Sequence, residues 1–378
     1  MKRIAIEAQR VYRAKKHGMD FVAINYVKAL AENYPDQNFI VFAKKGADKE
    51  AIPQLPNIKF CFIPKAPYPI WEQVLLPLYC LFYKVSVLHC TSNTAPIFPL
   101  CKLVVTLHDV IFMESNPLKD GSSYQKFGNL YRRWIVPIVV KRAKKIITVS
   151  HYEKSNIAFQ FPKEKEKIEV IYNAANDHFK HYPAEETISS ILAKYKLPEH
   201  YFLFLGNTDP KKNVSNIFTA FLQLWQKLGD ECPFLVVPDY PESWLQKWYE
   251  QNNAPTEFQK KIFCSGYIAN TDLQAILSRA KAFLYPSKRE SFGIPILEGY
   301  WSKVPVITSD AAAMPEVAGD AALLIDPLDP STICDAMSTI LKESEELRNS
   351  RINKGLERAA TFSWITSAKQ LNDLYKKL

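Results

Sequence analysis

The chain has 378 residues, of which 47% are hydrophobic and 23% are charged, a composition typical of folded globular proteins. The length predicts two domains, and the 11 glycines and 25 prolines exclude collagen-like and low-complexity chains. The net charge is +9, but residues 1–178 carry 26 Lys/Arg and 15 Asp/Glu, so this half is at +11 and the rest at −2. We therefore expect the first half to meet an anionic surface or ligand.

The cysteines and the apolar runs indicate the cellular compartment. The seven cysteines are scattered and never form a Cys-x-x-Cys pair, so we expect reduced core residues and no zinc or redox site. The opening apolar stretch is too short for a signal peptide, and the longest apolar run, residues 74–83, is about half a membrane span. We expect a cytoplasmic protein that does not cross a bilayer.

Short β-branched and aromatic runs alternate with helical stretches, which predicts parallel sheets covered on both faces. In the first half, strands are predicted at residues 3–8, 39–43, 58–63, 85–90, 103–108, 145–149 and 169–172. In the second half, they are predicted at residues 201–206, 234–237, 262–265, 282–285, 306–308 and 323–326. Both series are similar to Rossmann-type sheets.

A polar, proline-containing segment at residues 177–184 lies where the first series of strands ends, and we place the domain boundary there. The prediction is an α/β fold with two Rossmann-like domains, residues 1–180 and 181–361, facing each other across a cleft. Ligands of such folds bind at the carboxyl ends of the strands, so we sought site residues there.

The richest strand end lies near Tyr285 and is followed by two glutamates. Gly293 and Pro295 indicate that a helix begins there, which puts Glu290 in the preceding loop and Glu298 in the first helical turn. Two carboxylates beside a phosphate site would bind hydroxyls, because like charges repel. The alternative is that both glutamates are solvated surface residues.

The same junction predicts an anion site made without a charged side chain. The backbone N–H groups of Ser291, Phe292 and Gly293, together with the helix N-terminus, would suit a phosphate. A ligand with hydroxyl groups on both sides of a phosphate is a nucleotide sugar.

A second strand end, FLGNTDPKKN, carries Lys211 and Lys212 just before a helix predicted to begin around Val214. Lysines there could neutralise a diphosphate as point charges. The alternative is a solvated pair, although cations at a helix N-terminus oppose the helix dipole and so favour a functional reason.

The first half supplies two weaker candidates. TLHD places His108 and Asp109 at a strand end, where a lone histidine is either structural or in contact with substrate. The loop KKHGM contributes Gly18, but the three-glycine Rossmann fingerprint is missing, which argues against a nicotinamide enzyme. No Asp-x-Asp, GxxxxGK[ST] or GxSxG occurs, so no metal clamped by paired carboxylates is expected.

Several segments occur in order along nearly the whole chain: TLHD, LGNTDPKKN, ESFGIPILE (Glu290 to Glu298) and MPEVAGDAALLIDP. Together they resemble the motifs of the family-four retaining glycosyltransferases, which have the GT-B fold. WEQVLLP at residues 71–77 and the final FSW helix at residues 362–378 are similar to a mannosyl- and rhamnosyltransferase-like subgroup.

The resemblance implies roles for the matched donor-side residues. Glu290 would bind hydroxyls of the donor sugar, with the backbone of residues 291–293 beside it, and Glu298 would bind the ribose. Lys212, supported by Lys211, would hold the diphosphate. In this family the second domain would therefore bind the donor and the first domain the acceptor.

The remaining implied roles lie in loops. Gly18 would let its loop approach the diphosphate, His108 would lie near the sugar, and base contacts are expected near Tyr267 and Ile268. His108, Glu290 and Lys212 are the predicted catalytic residues. The resemblance further implies transfer with retention, no metal or other cofactor, and a C-terminal helix (362–378) that packs back on the first domain.

The leading hypothesis is a glycosyltransferase that moves a sugar, of which mannose is one candidate, from a nucleoside-diphosphate donor to a saccharide or lipid-linked saccharide in polysaccharide synthesis. A basic cluster in the first half would face an anionic membrane, or be a plain solvated surface. The cluster comprises Arg132, Arg133, Lys141, Arg142, Lys144 and Lys145.

Three alternatives stay open at this point. A nucleotide-sugar epimerase or a glycan phosphorylase shares the fold, and a phosphorylase would need pyridoxal phosphate on a lysine. A non-enzymatic basic protein would bind membrane or nucleic acid without nucleotide preference. Nucleic acid is not expected as a partner, because the basic cluster lacks the interleaved aromatics of single-strand binders.

Overall fold

The computed structural model describes residues 2–14, 16, 18–114, 123–238 and 240–378. The chain forms two compact units, which we call unit 1 (Met1–Asn173 with Ser363–Leu378) and unit 2 (Ala174–Phe362). Residue 180, where the domain boundary was predicted, ends the 3-10 helix Asp177–Lys180 inside unit 2. Lys15 and His17, from the predicted loop before Gly18, lie outside the described residues.

Unit 1 contains a seven-stranded parallel sheet in the order β3-β2-β1-β4-β5-β6-β7. Each predicted strand of the first half is present, with ends that agree to within two residues. The strands are β1 (Ile4–Glu7), β2 (Phe39–Ala43), β3 (Ile58–Phe62), β4 (Val87–Cys90), β5 (Lys102–Thr106), β6 (Lys145–Thr148) and β7 (Ile168–Val170). β1 lies inside the sheet between the buried strands β2 and β4.

The helices of unit 1 include a continuous helical segment, residues 68–82, whose middle turn is π-helical. They are α1 (Gly18–Asn33), α2 (Tyr68–Ile70), a π-helix (Trp71–Leu75), α3 (Leu76–Phe82), α4 (Ile111–Glu114), α5 (Ser123–Arg142), α6 (His151–Gln160) and a 3-10 helix (Pro162–Lys167). One face of the sheet packs against helix 68–82, α5 and α6 to form a single hydrophobic core.

Unit 2 contains a six-stranded parallel sheet in the order β10-β9-β8-β11-β12-β13. The strands are β8 (Tyr201–Phe204), β9 (Phe234–Val237), β10 (Ile262–Cys264), β11 (Phe283–Tyr285), β12 (Val306–Ser309) and β13 (Leu323–Ile325). The six strands predicted for the second half are thereby confirmed. β8 and β11 are neighbours at the centre, although 78 residues lie between Phe204 and Phe283 in the chain, so their carboxyl ends bring distant loops together.

Nine α-helices and three 3-10 helices complete the described part of unit 2. They are α7 (Glu185–Lys194), α8 (Val214–Leu228), α9 (Glu242–Gln251), α10 (Thr256–Gln259), α11 (Leu273–Arg279), α12 (Ile294–Trp301), α13 (Met314–Ala318), α14 (Pro330–Lys342) and α15 (Glu345–Ala360), with 3-10 helices at Asp177–Lys180, Pro210–Lys212 and Gly229–Glu231. α8 and α14 cover one face of the sheet and share an aromatic-rich core with it.

The last helix, α16 (Trp364–Lys377), belongs to unit 1 and packs on α1. Ser363 caps it by accepting a hydrogen bond from the backbone N–H of Ile365 at 3.2 Å. The Trp364 ring lies edge-on to Tyr26 at 5.6 Å, and Tyr375 Oη lies 2.6 Å from His89 Nδ1 under the sheet. Buried aromatic contacts therefore fix the C-terminal helix to unit 1.

Candidate functional site

The carboxyl ends of β8 and β11 bring Lys212 and Glu290 together in unit 2. Lys212 Nζ donates a hydrogen bond to Glu290 Oε1 at 2.6 Å, and the two side chains are 22% and 16% exposed. The pair is therefore shielded from bulk water yet reachable by a ligand. Lys211 lies beside it with a more exposed side chain, 3.8 Å from Asp209.

Asn213 locks the two loops that carry this pair. Its backbone adopts a left-handed conformation with φ of 65°, and its side-chain N–H group donates to the carbonyls of Pro286 at 3.1 Å and Pro327 at 2.6 Å. The backbone N–H of Lys288 also donates to the carbonyl of Lys211 at 2.8 Å. These bonds fix the lysine loop against the glutamate loop.

Gly293 begins α12 and sets the position of Glu298. Gly293 has φ of 107°, a conformation that favours glycine, and a β-carbon there would lie 3.1 Å from Ile296 Cδ1. The helix begins at Ile294, so Pro295 is its second residue and Glu298 its fifth. The prediction that Glu298 lies in the first turn was therefore wrong by one residue.

Glu298 and Tyr285 titrate abnormally beside the pair. Glu298 is partly buried, and desolvation raises its pKa to about 7. Burial, Glu290 and Glu298 hold the pKa of the Tyr285 phenol well above its ordinary value, so the phenol stays protonated. Lys212 Nζ lies 5.2 Å from the centre of the Tyr285 ring. The sequence patterns predicted Tyr285 as the end of a strand but not as part of the site. The available signal was an aromatic residue at the end of the strand that precedes the glutamate loop.

The other predicted donor-side residues lie in loops of unit 2, at different distances from this pair. Phe292 is a buried side chain that packs edge-on against Phe362 at 5.6 Å, and Ser291 beside it is partly buried. Tyr267 is 81% exposed and Ile268 is partly buried, in the loop after the edge strand β10. β9 separates β10 from β8, a distance of about 10 Å at ordinary strand spacing.

In unit 1, His108 is a buried neutral imidazole. β5 ends at Thr106, two residues earlier than predicted, and the backbone N–H of His108 donates to Asn93 Oδ1 at 2.7 Å. His108 Nε2 lies 2.9 Å from the carbonyl oxygen of Thr91. A carbonyl only accepts, so Nε2 carries the proton and Nδ1 has the lone pair. Desolvation lowers the pKa of His108, which favours this neutral form.

Two buried carboxylates of unit 1 were not singled out from the sequence. Glu7 ends β1, accepts a 2.8 Å hydrogen bond from the backbone N–H of Gln9, and has its pKa raised to about 7 by desolvation. Burial also raises the pKa of Glu72 in helix 68–82. Each is a single acidic residue within an apolar run, and this pattern was the only signal in the sequence that either carboxylate is buried.

Gly18 is the first residue of α1, where a β-carbon would meet no atom within 4 Å. Packing within unit 1 therefore does not require glycine at this position. Two residues later, Asp20 is buried and pairs with Arg13 and with Arg10, the latter at 3.6 Å. Both arginines lie in the segment between β1 and α1, so these ion pairs join that segment to the start of α1.

The described residues contain neither of two kinds of feature, a metal site and a membrane-spanning helix. Within the described ranges, no group of three or more His, Cys, Asp or Glu side chains is arranged to hold a metal ion. The same ranges contain no helix with the length and hydropathy needed to span a bilayer.

Comparison with known proteins covers both units. Residues 188–358 match the family described as Glycosyl transferases group 1, and residues 17–179 match Glycosyltransferase Family 4. The O-antigen chain mannosyltransferase B of Escherichia coli is 32% identical over 62% of this chain and 61% of its own length. The O-antigen chain mannosyltransferase RfbU of Salmonella typhimurium is 30% identical over 66% of this chain and 63% of its own. The matches thus span just over three fifths of each relative.

A solved structure matches the whole chain. HepE of Anabaena, crystallised in complex with UDP, superimposes with a TM-score of 0.73 at 16% identity and covers 100% of both chains. The lipopolysaccharide glycosyltransferase WaaG gives a TM-score of 0.70 at 13% identity over 98% of this chain and 99% of its own. The matches to two glycosyltransferase families along the sequence, and to this architecture in three dimensions, place the chain in the family-four glycosyltransferases of the GT-B fold.

Proposed function

We propose that this protein transfers a sugar from a nucleoside-diphosphate sugar to a saccharide or lipid-linked saccharide acceptor during synthesis of a cell-surface polysaccharide. The observation that carries the proposal is the Lys212–Glu290 pair at the carboxyl ends of β8 and β11. The names of the two O-antigen relatives support the acceptor class and a mannose-like sugar.

The ion pair suits a ligand that carries a diphosphate next to hydroxyl groups. A diphosphate would attract Lys212 and Lys211, and Glu290 would then accept hydrogen bonds from sugar hydroxyls. Tyr285 stays neutral beneath the pair, so it adds no charge that would repel the phosphates. We propose that Glu298, which lies in helix α12 after the glutamate loop, binds the ribose hydroxyls.

We propose that transfer proceeds with retention and without a metal. The bond from the anomeric carbon to the phosphate oxygen breaks while the bond to the acceptor oxygen forms on the same face, and the departing phosphate takes the acceptor proton. The negative charge of the phosphate is met by Lys212, Lys211 and the helix that follows Gly293, with no Asp-x-Asp pair in the sequence to hold a metal. Full turnover in excess EDTA is the expected outcome.

His108 is the proposed sugar-contacting residue of unit 1. Its Nε2–H is used by the Thr91 carbonyl, which leaves the Nδ1 lone pair to accept from a sugar hydroxyl. We place the reaction in the cytoplasm at the inner face of a membrane, where the basic cluster of α5 and the following residues would meet anionic lipid.

The test is the turnover of Glu290→Gln with nucleotide-sugar donors and a lipid-linked saccharide. Loss of a charge-assisted hydrogen bond should lower kcat/KM about ten- to a hundredfold. Asp335→Asn is the matched control, because Asp335 forms an exposed pair with Lys227 in the same unit. Unchanged turnover in Glu290→Gln would contradict the proposal. Donor consumption without acceptor would indicate an epimerase instead, and a lysine-bound pyridoxal absorbance would indicate a phosphorylase.

A further inference from the structure

Helix 68–82 of unit 1 exposes a stripe of large apolar side chains. They recur at intervals of three and four residues, which places them along one side of the helix. At the end of the stripe, Phe82 is 79% exposed. The exposed residues are Ile70, Val74, Leu78, Leu81 and Phe82.

Helix α5 exposes a second stripe with the same spacing. Trp134 is 72% exposed, although tryptophan usually buries much of its large surface. The exposed residues of this stripe are Phe127, Leu130, Trp134 and Ile138. Between the two helices in sequence, Phe98 and Leu100 are also exposed. We call these three sets together the apolar face.

Direct contacts join the three elements that carry the apolar face. The Gln73 side chain donates to the Ala95 carbonyl at 3.1 Å and to Tyr131 Oη at 2.9 Å, and it accepts from the backbone N–H of Ile97 at 2.8 Å. Arg142, at the end of α5, lies 4.1 Å from the centre of the Phe98 ring. Helix 68–82, the loop at 95–100 and α5 are therefore neighbours.

The buried carboxylate of Glu72 joins the same elements through hydrogen bonds. It accepts hydrogen bonds from Tyr68 Oη at 2.6 Å, Thr94 Oγ1 at 2.5 Å and Tyr131 Oη at 2.7 Å. These donors come from helix 68–82, the loop after β4 and α5. The apolar face is thus built on a fixed polar network, and its exposure is not the result of poorly packed helices.

The exposed charged residues described on the elements that carry the apolar face are cations. The sequence of α5 contains no Asp or Glu, and the only charged residue of helix 68–82 is the buried Glu72. The loop at 95–100 contains no charged residue. At the end of α5, Lys141, Arg142 and Lys144 are exposed. A second copy docked face to face would bring these cations together, whereas an anionic surface complements them.

We propose that the apolar face inserts into the headgroup and acyl boundary of a bilayer that contains anionic lipid. The occupant is lipid, because large apolar side chains and an exposed tryptophan lie beside cations with no exposed carboxylate on these helices. The inference deepens the membrane association given under the proposed function and rests on it. It adds the inserting residues, which the basic cluster alone does not supply.

The test is co-sedimentation with vesicles of phosphatidylcholine, with and without phosphatidylglycerol. Leu81→Ser/Phe82→Ser should weaken partitioning at least about tenfold. Phe159→Ser is the matched control, because Phe159 is 83% exposed on α6 of the same unit but outside the apolar face. Lys141→Gln/Lys144→Gln should weaken binding about twenty- to thirtyfold on phosphatidylglycerol vesicles and little on phosphatidylcholine.

A second readout uses Trp134 itself. Brominated acyl chains should quench tryptophan fluorescence of the wild type, and Trp134→Phe should remove most of that quenching. Equal partitioning of Leu81→Ser/Phe82→Ser and the wild type would overturn the proposal. The proposal would also be overturned if the wild type does not bind vesicles but sediments as a dimer, and if Leu81→Ser/Phe82→Ser dissociates that dimer.

Nucleoside-diphosphate binding separates this failure from failure of the transferase proposal. Each surface variant should keep the thermal shift that a nucleoside diphosphate gives the wild type, because the proposed donor residues are in unit 2. Vesicle binding without any nucleotide response would leave the apolar face supported and the transferase proposal contradicted. A nucleotide response without vesicle binding would support the transferase proposal and contradict the proposal for the apolar face.

Discussion

Unit 1 and unit 2 have the same construction, a parallel sheet covered by helices, but they present different surfaces. Among the described residues, fourteen large apolar side chains are exposed in unit 1 and five in unit 2. Residues 1–178 carry a charge of +11 and the remaining residues −2. We infer that the two units meet different kinds of partner, because their surfaces differ although their architecture is the same.

The polar groups of the two units differ in the same way. The Lys212–Glu290 pair of unit 2 is partly exposed, and we propose that each member exchanges its partner for a ligand. In unit 1, Glu72 is buried, and its carboxylate already accepts hydrogen bonds from Tyr68, Thr94 and Tyr131. We infer that Glu72 maintains the packing of unit 1, whereas the Lys212–Glu290 pair of unit 2 binds a ligand.

The largest expected effect tests that contrast through stability. Glu72→Leu leaves the hydroxyls of Tyr68 and Tyr131 without their acceptor in a buried site, so the free energy of unfolding should fall by about 3–5 kcal/mol. Glu290→Leu, at the exchangeable pair, should cost about 1 kcal/mol or less. Urea unfolding of both variants measures the difference, and equal losses would contradict the contrast.

A glycine in each unit gives a smaller effect. Gly293→Ala should lower the free energy of unfolding by about 1–3 kcal/mol, because its φ of 107° strains a residue with a β-carbon. Gly18→Ala should change it by about 0.5 kcal/mol or less, because the β-carbon enters open space. If Gly18→Ala nevertheless lowers turnover, a ligand approaches that position. Thermal melting and turnover of both variants decide this.

A further expected effect is a pH dependence of stability. The pKa of Glu7 is raised from 4.5 to about 7, so the folded state binds more protons than the unfolded state between these values. The contribution of Glu7 to stability is therefore greatest below pH 4.5 and is lost as pH rises to about 7. Glu7→Gln should gain stability relative to the wild type at pH 8 compared with pH 5.

Glu298 provides the matching case in unit 2, because its pKa is also raised from 4.5 to about 7. Its side chain is more exposed than that of Glu7, so Glu298→Gln should show the same direction with a smaller amplitude. The measurement is urea unfolding of both variants at the two pH values. A pH-independent difference from the wild type in both variants would contradict the assignments.

Sequence patterns predicted the strands because each is a short apolar run, and such runs are buried wherever a parallel sheet is covered on both faces. They also led to Glu290 and Lys212, because both follow strand ends. Their contact at 2.6 Å could not be predicted, since it depends on β8 and β11 being neighbours. Glu7 and Glu72 were missed because their burial depends on how the helices and strands of unit 1 pack, which the sequence around each residue does not show.

The exposed stripes were missed for a related reason. Helical periodicity shows which apolar residues share a side of a helix, but not which side faces the core. In α5, Val136 and Val139 are buried while Trp134 and Ile138 are exposed, and only the packed structure separates them.

The central claim is that Lys212 and Glu290 form the donor site, and nucleoside-diphosphate binding to Lys212→Met tests it most directly. Calorimetric titration should show the affinity of the wild type for its preferred nucleoside diphosphate reduced about ten- to a hundredfold in Lys212→Met. Lys227→Met, which removes a lysine from the exposed pair with Asp335, should bind like the wild type. Equal affinity of all three proteins, or no binding by the wild type, would contradict the account.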